Sequence, residues 1–323
     1  MKLTTALAMT ALLAAPAAYA QQSTPYPTKP IRVVVGLAPG GATDIVARLI
    51  GQKLTEALGQ PVIIDNRAGA AGSIAGAIVT KALPDGYTLH AVSSSFAINP
   101  SLYELPFDSL KDFTPIIQTA QAPFLLVVNP GLRIESVKDL IALAKAKPAT
   151  MHFSSGGNGG SGHLAAELFK RMSDIRVDHV PFRGGSPALA AVISGEVQFT
   201  FSAIVAGLQQ SRAGRVRALG VTSIKRSRAA PDVPTIAETG VPGYQVLTWY
   251  GFLAPAGTPR DIVTKLNSAV AKIVRLPDVT EKLMSDGAEP VGGTPAEFGR
   301  HLADEINRFR KLTKDIGLKT EKL

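Results

Sequence analysis

The segment GLAPGGATDIVARLIGQKL, residues 36–54, joins a strand pattern to a helix pattern through glycine. The apolar run Ile31–Leu37 predicts a buried strand, and the amphipathic run from Thr43 predicts a helix that ends at Gly59. Glycine between the two permits positive φ angles and a close approach of the backbone to a ligand. Free N–H groups and the dipole at the start of a helix favour an anion. The segment therefore predicts an α/β unit with an anion-binding turn.

The same arrangement recurs in the middle of the chain. A predicted strand, 150–153, leads into SSGGNGGSGH, residues 154–163, and a predicted helix follows to Met172. Hydroxyl and amide side chains give this second turn more hydrogen-bond donors than the first. Two such turns facing each other across a cleft suit a small molecule with a carboxylate at one or both ends. Each turn alone could equally be a structural link between a strand and a helix.

Strand and helix patterns alternate through residues 31–123 and again from 124 to 246. This rhythm predicts an α/β fold with mostly parallel sheets flanked by helices. The apolar run Val246–Ala254 predicts a strand that returns to the first unit. We therefore expect two lobes with a two-strand hinge and a cleft between them: domain 1 from 21–123 and 247–323, and domain 2 from 124–246. Ligands of open α/β sheets bind at the carboxyl ends of strands, which here face the cleft.

The first twenty residues predict export. Lys2 precedes the apolar run Ala6–Ala15, and Ala18–Ala20 provides an A-x-A cleavage site. These features are typical of a secretory signal peptide, residues 1–20, and the run is shorter than the roughly 20 residues of a membrane-spanning helix. We therefore expect a soluble mature protein in the periplasm.

Composition excludes several classes of function. The chain has no cysteine, which rules out disulfides, thiolate metal sites and cysteine nucleophiles. Its five histidines lack the spacing of a metal site, and we expect neither a metal nor a cofactor. The net charge of +9 falls to +8 when Lys2 is removed, and its densest stretch, Arg212–Arg228, has no interleaved aromatic residue. We expect anionic solutes as partners, and no nucleic acid.

The second turn resembles catalytic and nucleotide-binding motifs, but its position or its residues differ from what each motif requires. Residues 157–162 match G-x-G-x-x-G, yet they do not follow the first strand, and neither turn contains Gly-Lys-Ser/Thr. A G-x-S-x-G elbow would need glycine in place of His163. Ser161 and His163 are also badly placed for a relay, because neighbouring residues at a helix start point in different directions. We therefore expect no catalytic residue.

Several side chains are open to two interpretations. His163 could donate to a ligand or pack in the core, and Arg48 could be a surface cation or could orient Asp44 at i,i+4. Arg183 could reach the cleft or lie on the surface. Trp249 could pack at the hinge or stack on a ligand.

Longer motifs resemble a known family. The string YPTKPIRVVVGLAPGGATDIVARLIGQKLTEALGQPVIIDNRAGAAGSIAGA, residues 26–77, is similar to the extracytoplasmic solute receptors of tripartite tricarboxylate transporters, the Bug family. The likeness continues through GGNGGSGHLAAELF, residues 156–169, and through VPTIAETGVPGYQVLTWYGFLAPAGTPRDIV, residues 233–263. It implies a type II periplasmic-binding-protein fold that closes on a carboxylated solute. By matching motifs it implies ligand contacts at Ala38, Gly40, Gly41, Ala42, Thr43, Asp44, Ser94 and Ser95 in domain 1, and at Ser155, Gly157, Asn158, Gly159, Ser161, His163, Ser202 and Ala203 in domain 2.

The chain departs from the family pattern at two places. Many members have an acidic residue near Ser202, and an aromatic-Ser or Pro-aromatic pair at the position of Leu37-Ala38. The missing acid favours a ligand without an amino group, such as a plain or aromatic carboxylate.

The sequence as a whole predicts a receptor and not an enzyme. We expect a monomer that captures a small di-, tri- or aromatic carboxylate and delivers it to the membrane permease subunits of a tripartite tricarboxylate-type transporter. One alternative is a receptor that presents its ligand to a sensor kinase. Another is an exported hydrolase in which Ser161 acts in the same cleft.

Overall fold

The computed structural model describes residues 26–37, 39–69, 72–182, 184–318 and 320–322. The predicted signal peptide, Ala38 and Arg183 lie outside these ranges. The strands are β1 (Ile31–Val35), β2 (Val62–Asn66), β3 (Thr88–Ser93), β4 (Tyr103–Glu104), β5 (Phe113–Val128), β6 (His152–Ser155), β7 (Asp178–Pro181), β8 (Phe199–Ala203), β9 (Arg217–Val221), β10 (Leu247–Pro255), β11 (Glu289–Gly292) and β12 (Glu321–Lys322). The helices are α1 (Ala42–Leu58), α2 (Ser73–Thr80), α3 (Ser95–Ile98), α4 (Val137–Ala146), α5 (Ser161–Ser173), α6 (Gly185–Ser194), α7 (Ile204–Arg212), α8 (Ile236–Thr239), α9 (Arg260–Ile273), α10 (Pro277–Ser285) and α11 (Pro295–Asp315).

The main sheet is curled and mixed, in the order β2-β1-β3-β10-β5-β8-β6-β7. β1 pairs in parallel with β2 and β3, and β6 pairs in parallel with β7 and β8, as the βαβ rhythm predicts. β10 is antiparallel to β3 and β5, and β5 is antiparallel to β8, β9 and β11. The sheet is therefore parallel within β2-β1-β3 and within β8-β6-β7. It is antiparallel around β5 and β10, the two long strands in the middle, which run opposite to their neighbours.

Strand β5 links the two halves of the sheet. Its first part pairs with β10, ending at Pro123 opposite Leu247, and its second part pairs with β8 from Phe124 onward. From the sequence alone, the apolar run 124–128 predicts a strand, and no strand is predicted for the ten residues before it. Residues 113–122 lack regular alternation of apolar and polar side chains, and the bulged pairing with β10 follows from contacts more than a hundred residues apart.

Local signals set two helix ends: the sequence predicts that Gly59 ends α1 and that Ser136 caps α4. Gly59 ends α1 in the left-handed conformation, with φ of 69°, and its N–H bonds to the carbonyl of Thr55. Ser136 caps α4 and forms a capping box with Asp139. Helix α7 was not predicted, since the residues before Arg212 show little amphipathic periodicity.

Helix α5 packs on both halves of the molecule. On one face Ala165 and Phe169 join a core cluster with Phe153 and Tyr244, and the hydroxyl of Tyr244 donates to the carbonyl of Ala165 at 2.7 Å. On another face the fully buried Leu164 joins a cluster built mainly from α11 and from the segment after β3. The start of α5 is thereby fixed against residues of both predicted domains.

Trp249 lies in the core. Its ring is 1% exposed and packs edge-on against Phe298 and His301, each at 5.5 Å between ring centroids. The packing interpretation of Trp249 is therefore the one that the structure shows.

Within the described ranges, no helix combines the length and the apolar composition that crossing a membrane requires.

Candidate functional site

Asp44 holds the first glycine turn in place. Its carboxylate accepts hydrogen bonds from the Gly40 amide, from Arg48 Nε and from Asn66 Nδ2, each at 2.9 Å. Burial opposes ionisation, yet these hydrogen bonds outweigh it and lower the pKa of the Asp44 carboxyl below its ordinary value. Arg48 therefore orients Asp44, which is one of the two roles that the sequence left open for it. The negative charge of Asp44 is compensated within the turn.

The first turn keeps free donors at the start of α1. The Gly40 amide is used by Asp44, whereas the amides of residues 42–44 have no acceptor among the described residues. Gly41 precedes the helix with φ of −75° and no side-chain cap, and residues 39–42 are exposed. The first N–H groups of a helix have no partner inside it, so they remain available to a ligand. Gly40 shapes the turn, and α1 supplies the donors.

A small cavity lies beneath this turn. Its volume of about 20 Å³ is room for about one water molecule. Two predicted site residues, Thr43 and Ser95, line it. Its other lining residues are mostly glycine, aliphatic or aromatic, with Ser93 and Asn99 as further polar side chains: Gly36, Leu37, Gly72, His90, Ala91, Val92, Ser93, Phe96, Asn99, Leu105 and Phe107.

His90 is a cavity-lining residue that the sequence did not single out. Its Nδ1 lies 2.9 Å from the carbonyl oxygen of Val34. Because a carbonyl only accepts, Nδ1 carries the proton. Burial lowers the pKa of His90 to about 4, so the ring is neutral at physiological pH.

Ser94 and Ser161 bring the two predicted domains together. The Ser94 hydroxyl at the end of β3 lies 3.0 Å from the Ser161 hydroxyl at the start of α5, and 3.0 Å from the Thr248 hydroxyl on β10. Since β3 is the neighbour of β1, this contact places the start of α5 beside the strand edge that carries the first turn. The two predicted turns are thus parts of one region.

Hydrogen bonds within the second turn use several of its amides. The Gly157 amide donates to Ser155 Oγ at 3.2 Å, and the Gly160 amide donates to the Gly157 carbonyl at 3.3 Å. The Gly159 amide donates to His163 Nδ1 at 2.9 Å. The amides of Asn158 and of residues 161–163 have no acceptor among the described residues. As in the first turn, glycine shapes the backbone and the helix start holds the free donors.

His163 packs beneath this turn. The side chain is buried, and its ring stacks on the ring of His179 with 3.9 Å between centroids. His163 Nε2 lies 3.7 Å from Glu167 Oε1, and Lys170 Nζ lies 2.7 Å from the same oxygen. Burial opposes ionisation of Glu167, but these two neighbours outweigh it and lower the pKa of the Glu167 carboxyl. The structure therefore gives His163 a packing role at the base of the turn.

The geometry does not support the serine–histidine relay. The Ser161 hydroxyl bonds to Ser94, while the His163 ring is turned to Gly159 and Glu167. A different pair, Ser155 and His179, is in contact at 2.7 Å, but Ser155 is only 2% exposed and also bonds within its own turn. Neither serine combines an exposed hydroxyl with a histidine partner.

The remaining predicted residues lie at the end of β8. Ser202 is buried, with its hydroxyl donating to the carbonyl of Ala203 at 3.1 Å, and Ala203 is exposed. Sequence analysis missed Asn66, His179 and Thr248 as residues of this region. His179 lies in no quoted motif, and only the parallel pairing of β6 with β7 places it beside its turn. Asn66 and Thr248 each lie in a quoted family string, residues 26–77 and 233–263, which could have drawn attention to them.

The fold and this convergence of turns define a two-lobed periplasmic-binding-protein type of receptor. The family described as tripartite tricarboxylate transporter family receptor, TctC, matches residues 46–318. The chain therefore belongs to this family of solute-binding proteins, which includes the Bug proteins.

Three similar proteins place the chain within the family. It is 36% identical to protein BugT of Bordetella pertussis, over 91% of each chain. A Rhodopseudomonas palustris protein solved with adipate shares 39% identity, with a TM-score of 0.80 over 92% of this chain and 100% of that one. MatC of Rhodopseudomonas palustris, solved with bound malate, shares 33% identity, with a TM-score of 0.74 over 89% of this chain and 99% of that one.

Proposed function

We propose that this protein captures a small carboxylate in the cleft between its lobes and delivers it, chemically unchanged, to the permease subunits of a tripartite tricarboxylate-type transporter. The observation that carries the proposal is the contact between the hydroxyls of Ser94 and Ser161, at 3.0 Å. Ser94 lies near the first glycine turn and Ser161 follows the second, so the contact brings the two turns together. It makes one site from two helix starts, each with free amides. We further propose export to the periplasm by the signal peptide 1–20, and a monomeric receptor.

The lobes in this proposal are residues 21–123 with 247–323, and residues 124–246. The pairing of β5 supports this division, since its partner changes between Pro123 and Phe124. Leu247, the first residue of β10, pairs with Pro123, the last residue of β5 before its partner changes. Two adjacent crossing strands are a suitable hinge, because a small change of backbone angles there moves whole lobes.

The ligand carboxylates are held, in our proposal, by main-chain N–H groups of residues 42–44 and 161–163, together with the hydroxyls of Ser94, Ser95 and Ser161. Each charge-assisted hydrogen bond contributes roughly 1.5–3 kcal/mol. Three or four of them, less the cost of ordering, suffice for a micromolar Kd, about −8 kcal/mol. Gly40, Gly157 and Gly159 shape the turns.

The ligand class that we propose is a carboxylate without an amino group. Two relatives were solved with the dicarboxylates adipate and malate. In this chain the end of β8 is Phe201-Ser202-Ala203, with no acid to receive an ammonium group. An amino acid would bring a positive charge that these residues do not compensate.

Isothermal titration calorimetry of the mature protein tests this function. The panel contains adipate, malate, benzoate and aspartate, with adipamide as the matched control that lacks carboxylates. We expect micromolar binding of at least one plain carboxylate, weaker binding of aspartate and none of adipamide. Equal binding of adipate and adipamide, or no binding of any carboxylate, would contradict the proposal.

A further inference from the structure

A second cavity, of about 130 Å³, lies at the proposed hinge. Its lining includes Pro123 on β5 and Leu247 on β10, the paired residues at which β5 changes its partner. The segment that follows β9, residues 223–226, lines it as well. The volume is several times what one water molecule needs, so a small organic molecule has room there. The described residues that line this hinge cavity belong to neither glycine turn.

Several polar groups around the hinge cavity lack a hydrogen-bond partner. Among the described residues, none bonds to the side-chain amides of Gln121 and Gln245 or to the ammonium of Lys225. The hydroxyl of Ser223 is shielded from solvent and has no partner in the same part of the chain. A buried hydroxyl without a hydrogen bond costs free energy, and most such groups in native proteins are paired. Polar groups that converge on one cavity without partners are typical of a binding site.

Two opposite charges line the hinge cavity without pairing. Lys225 follows β9 and Glu289 lies on β11, yet no ion pair joins them within the described ranges. The Glu289 carboxylate accepts only a long hydrogen bond, 3.4 Å, from the Arg228 amide. Arg226 also lines the cavity, but its guanidinium is 3.2 Å from the Glu238 carboxylate. A cation and an anion that line one space without pairing suit a ligand that carries both charges.

The same two charges disfavour other small ligands. A dicarboxylate would bring a second negative charge close to Glu289, and a diamine would bring a second positive charge close to Lys225. Like charges repel at such short range. The cavity therefore favours a molecule with one charge of each sign.

We propose that the hinge cavity is a second binding site of this protein and that its ligand is a small amino acid in the zwitterionic form. Lys225 binds the carboxylate of the ligand, and Glu289 binds its ammonium group. The side-chain amides of Gln121 and Gln245, which donate and accept, bind either end. The inference goes beyond the proposed function, because Glu289 supplies here the negative charge that the end of β8 lacks in the cleft.

Solution NMR with a local readout tests this site. The side-chain amides of Gln121 and Gln245 give resonances of their own, so a Kd read from their shifts reports on the hinge cavity. L-Alanine carries both charges, L-lactate has a hydroxyl in place of the ammonium group, and L-alaninamide has a neutral amide in place of the carboxylate. We expect L-alanine to bind the wild type about tenfold more tightly than either analogue.

Two substitutions assign the charges. Lys225→Met removes the partner of the carboxylate, so L-alanine should bind about tenfold more weakly and no more tightly than L-alaninamide. Glu289→Gln removes the partner of the ammonium group, so L-alanine should bind no more tightly than L-lactate. Lys138→Met, at an exposed lysine of α4 outside the cavity, is the matched control and should keep the wild-type values. Urea unfolding checks that all three variants are folded.

The outcome is separate from that of the proposed function. The inference is overturned if L-alanine leaves the two amide resonances in place, if the three compounds bind equally, or if Lys225→Met and Glu289→Gln keep the wild-type preferences. Shifts with L-alanine in a protein that binds no adipate would refute the proposed function alone.

Discussion

The hydroxyls of Ser94 and Ser161, 67 positions apart in the chain, lie 3.0 Å from each other. Ser94 directly follows β3 in one half of the sheet, and Ser161 begins the helix that follows the second glycine turn. Their contact makes one polar region from two helix starts. In the function proposed above, the free amides at these two helix starts hold the carboxylates of the solute.

Substitution of Ser161 tests this contact. Ser161→Ala removes a hydroxyl but leaves the amides at the start of α5, so we expect the affinity for the bound carboxylate to fall by about two- to tenfold. Thermal unfolding should be nearly unchanged, since the residue is partly exposed. The conservative change Ser161→Thr, which keeps the hydroxyl, is the control in the same calorimetric titration. Identical affinities of the Ala variant and the wild type would remove this hydroxyl from the site.

Gly41 allows a test of ligand approach without backbone strain. Its φ of −75° and ψ of 162° suit any residue, so Gly41→Val should fold normally. The added side chain would stand over the amides at the start of α1, and we expect binding to be lost. Gly185→Val, at the exposed start of α6 with open space around it, is the control. Undiminished binding by Gly41→Val would exclude the first turn from the site.

The buried carboxylate of Asp44 should contribute more to stability than an exposed one. Asp44→Asn leaves the Gly40 amide and Arg48 without a charged acceptor, and we expect a loss of about 1–3 kcal/mol in the free energy of unfolding. Asp65→Asn is the matched control, since Asp65 pairs with Arg32 and Arg67 nearer the surface, where such pairs contribute about 0–1 kcal/mol. Urea unfolding of both variants measures the difference, and equal losses would contradict the structural role of Asp44.

Leu164 joins the two halves through its side chain. The residue is fully buried, so Leu164→Ala should lower the free energy of unfolding by about 2–5 kcal/mol. Met172→Ala on the same helix is the control, because Met172 is 41% exposed and such changes stay within about 0.5 kcal/mol. Similar values for the two variants would show that α5 is not packed against the other half in solution.

Acid should weaken the fold through neutral buried histidines. Burial lowers the pKa of His90 to about 4, and burial together with the nearby His163 lowers the pKa of His179 to about 4, from an ordinary 6.5. Between about pH 4 and pH 6.5, these two histidines therefore bind protons in the unfolded chain and not in the folded chain. Stability is therefore complete above about pH 6.5 and decreases as the pH falls toward 4.

The buried His90 contributes up to about 3 kcal/mol of this loss. His90→Asn keeps a donor for Val34 at the Nδ1 position and removes the titration. Urea unfolding at a series of pH values should show a shallower slope for this variant. A slope equal to that of the wild type would contradict the assignment.

Local sequence determined the elements that frame the site. Gly59 predicts the end of α1 because glycine adopts a left-handed conformation without strain, and Ser136 predicts the start of α4 because its hydroxyl satisfies a free N–H group. The two glycine turns could be predicted from the sequence for the same reason, because they too depend on local residue types. These signals act over four or five residues, so the sequence alone contains them.

Tertiary structure decided which groups of the turns remain available. The Asp44 carboxylate accepts a hydrogen bond from the Gly40 amide and another from Asn66 on the neighbouring strand, which fixes its position. Likewise the second turn depends on His179, a residue that parallel pairing of β6 and β7 brings beside Ser155. No local pattern encodes such contacts, because strand register and the packing of side chains distant in sequence arise from burial of the whole core. The chain by itself thus specified the strands, helices and turns, and the folded core decided which amides are left for a ligand.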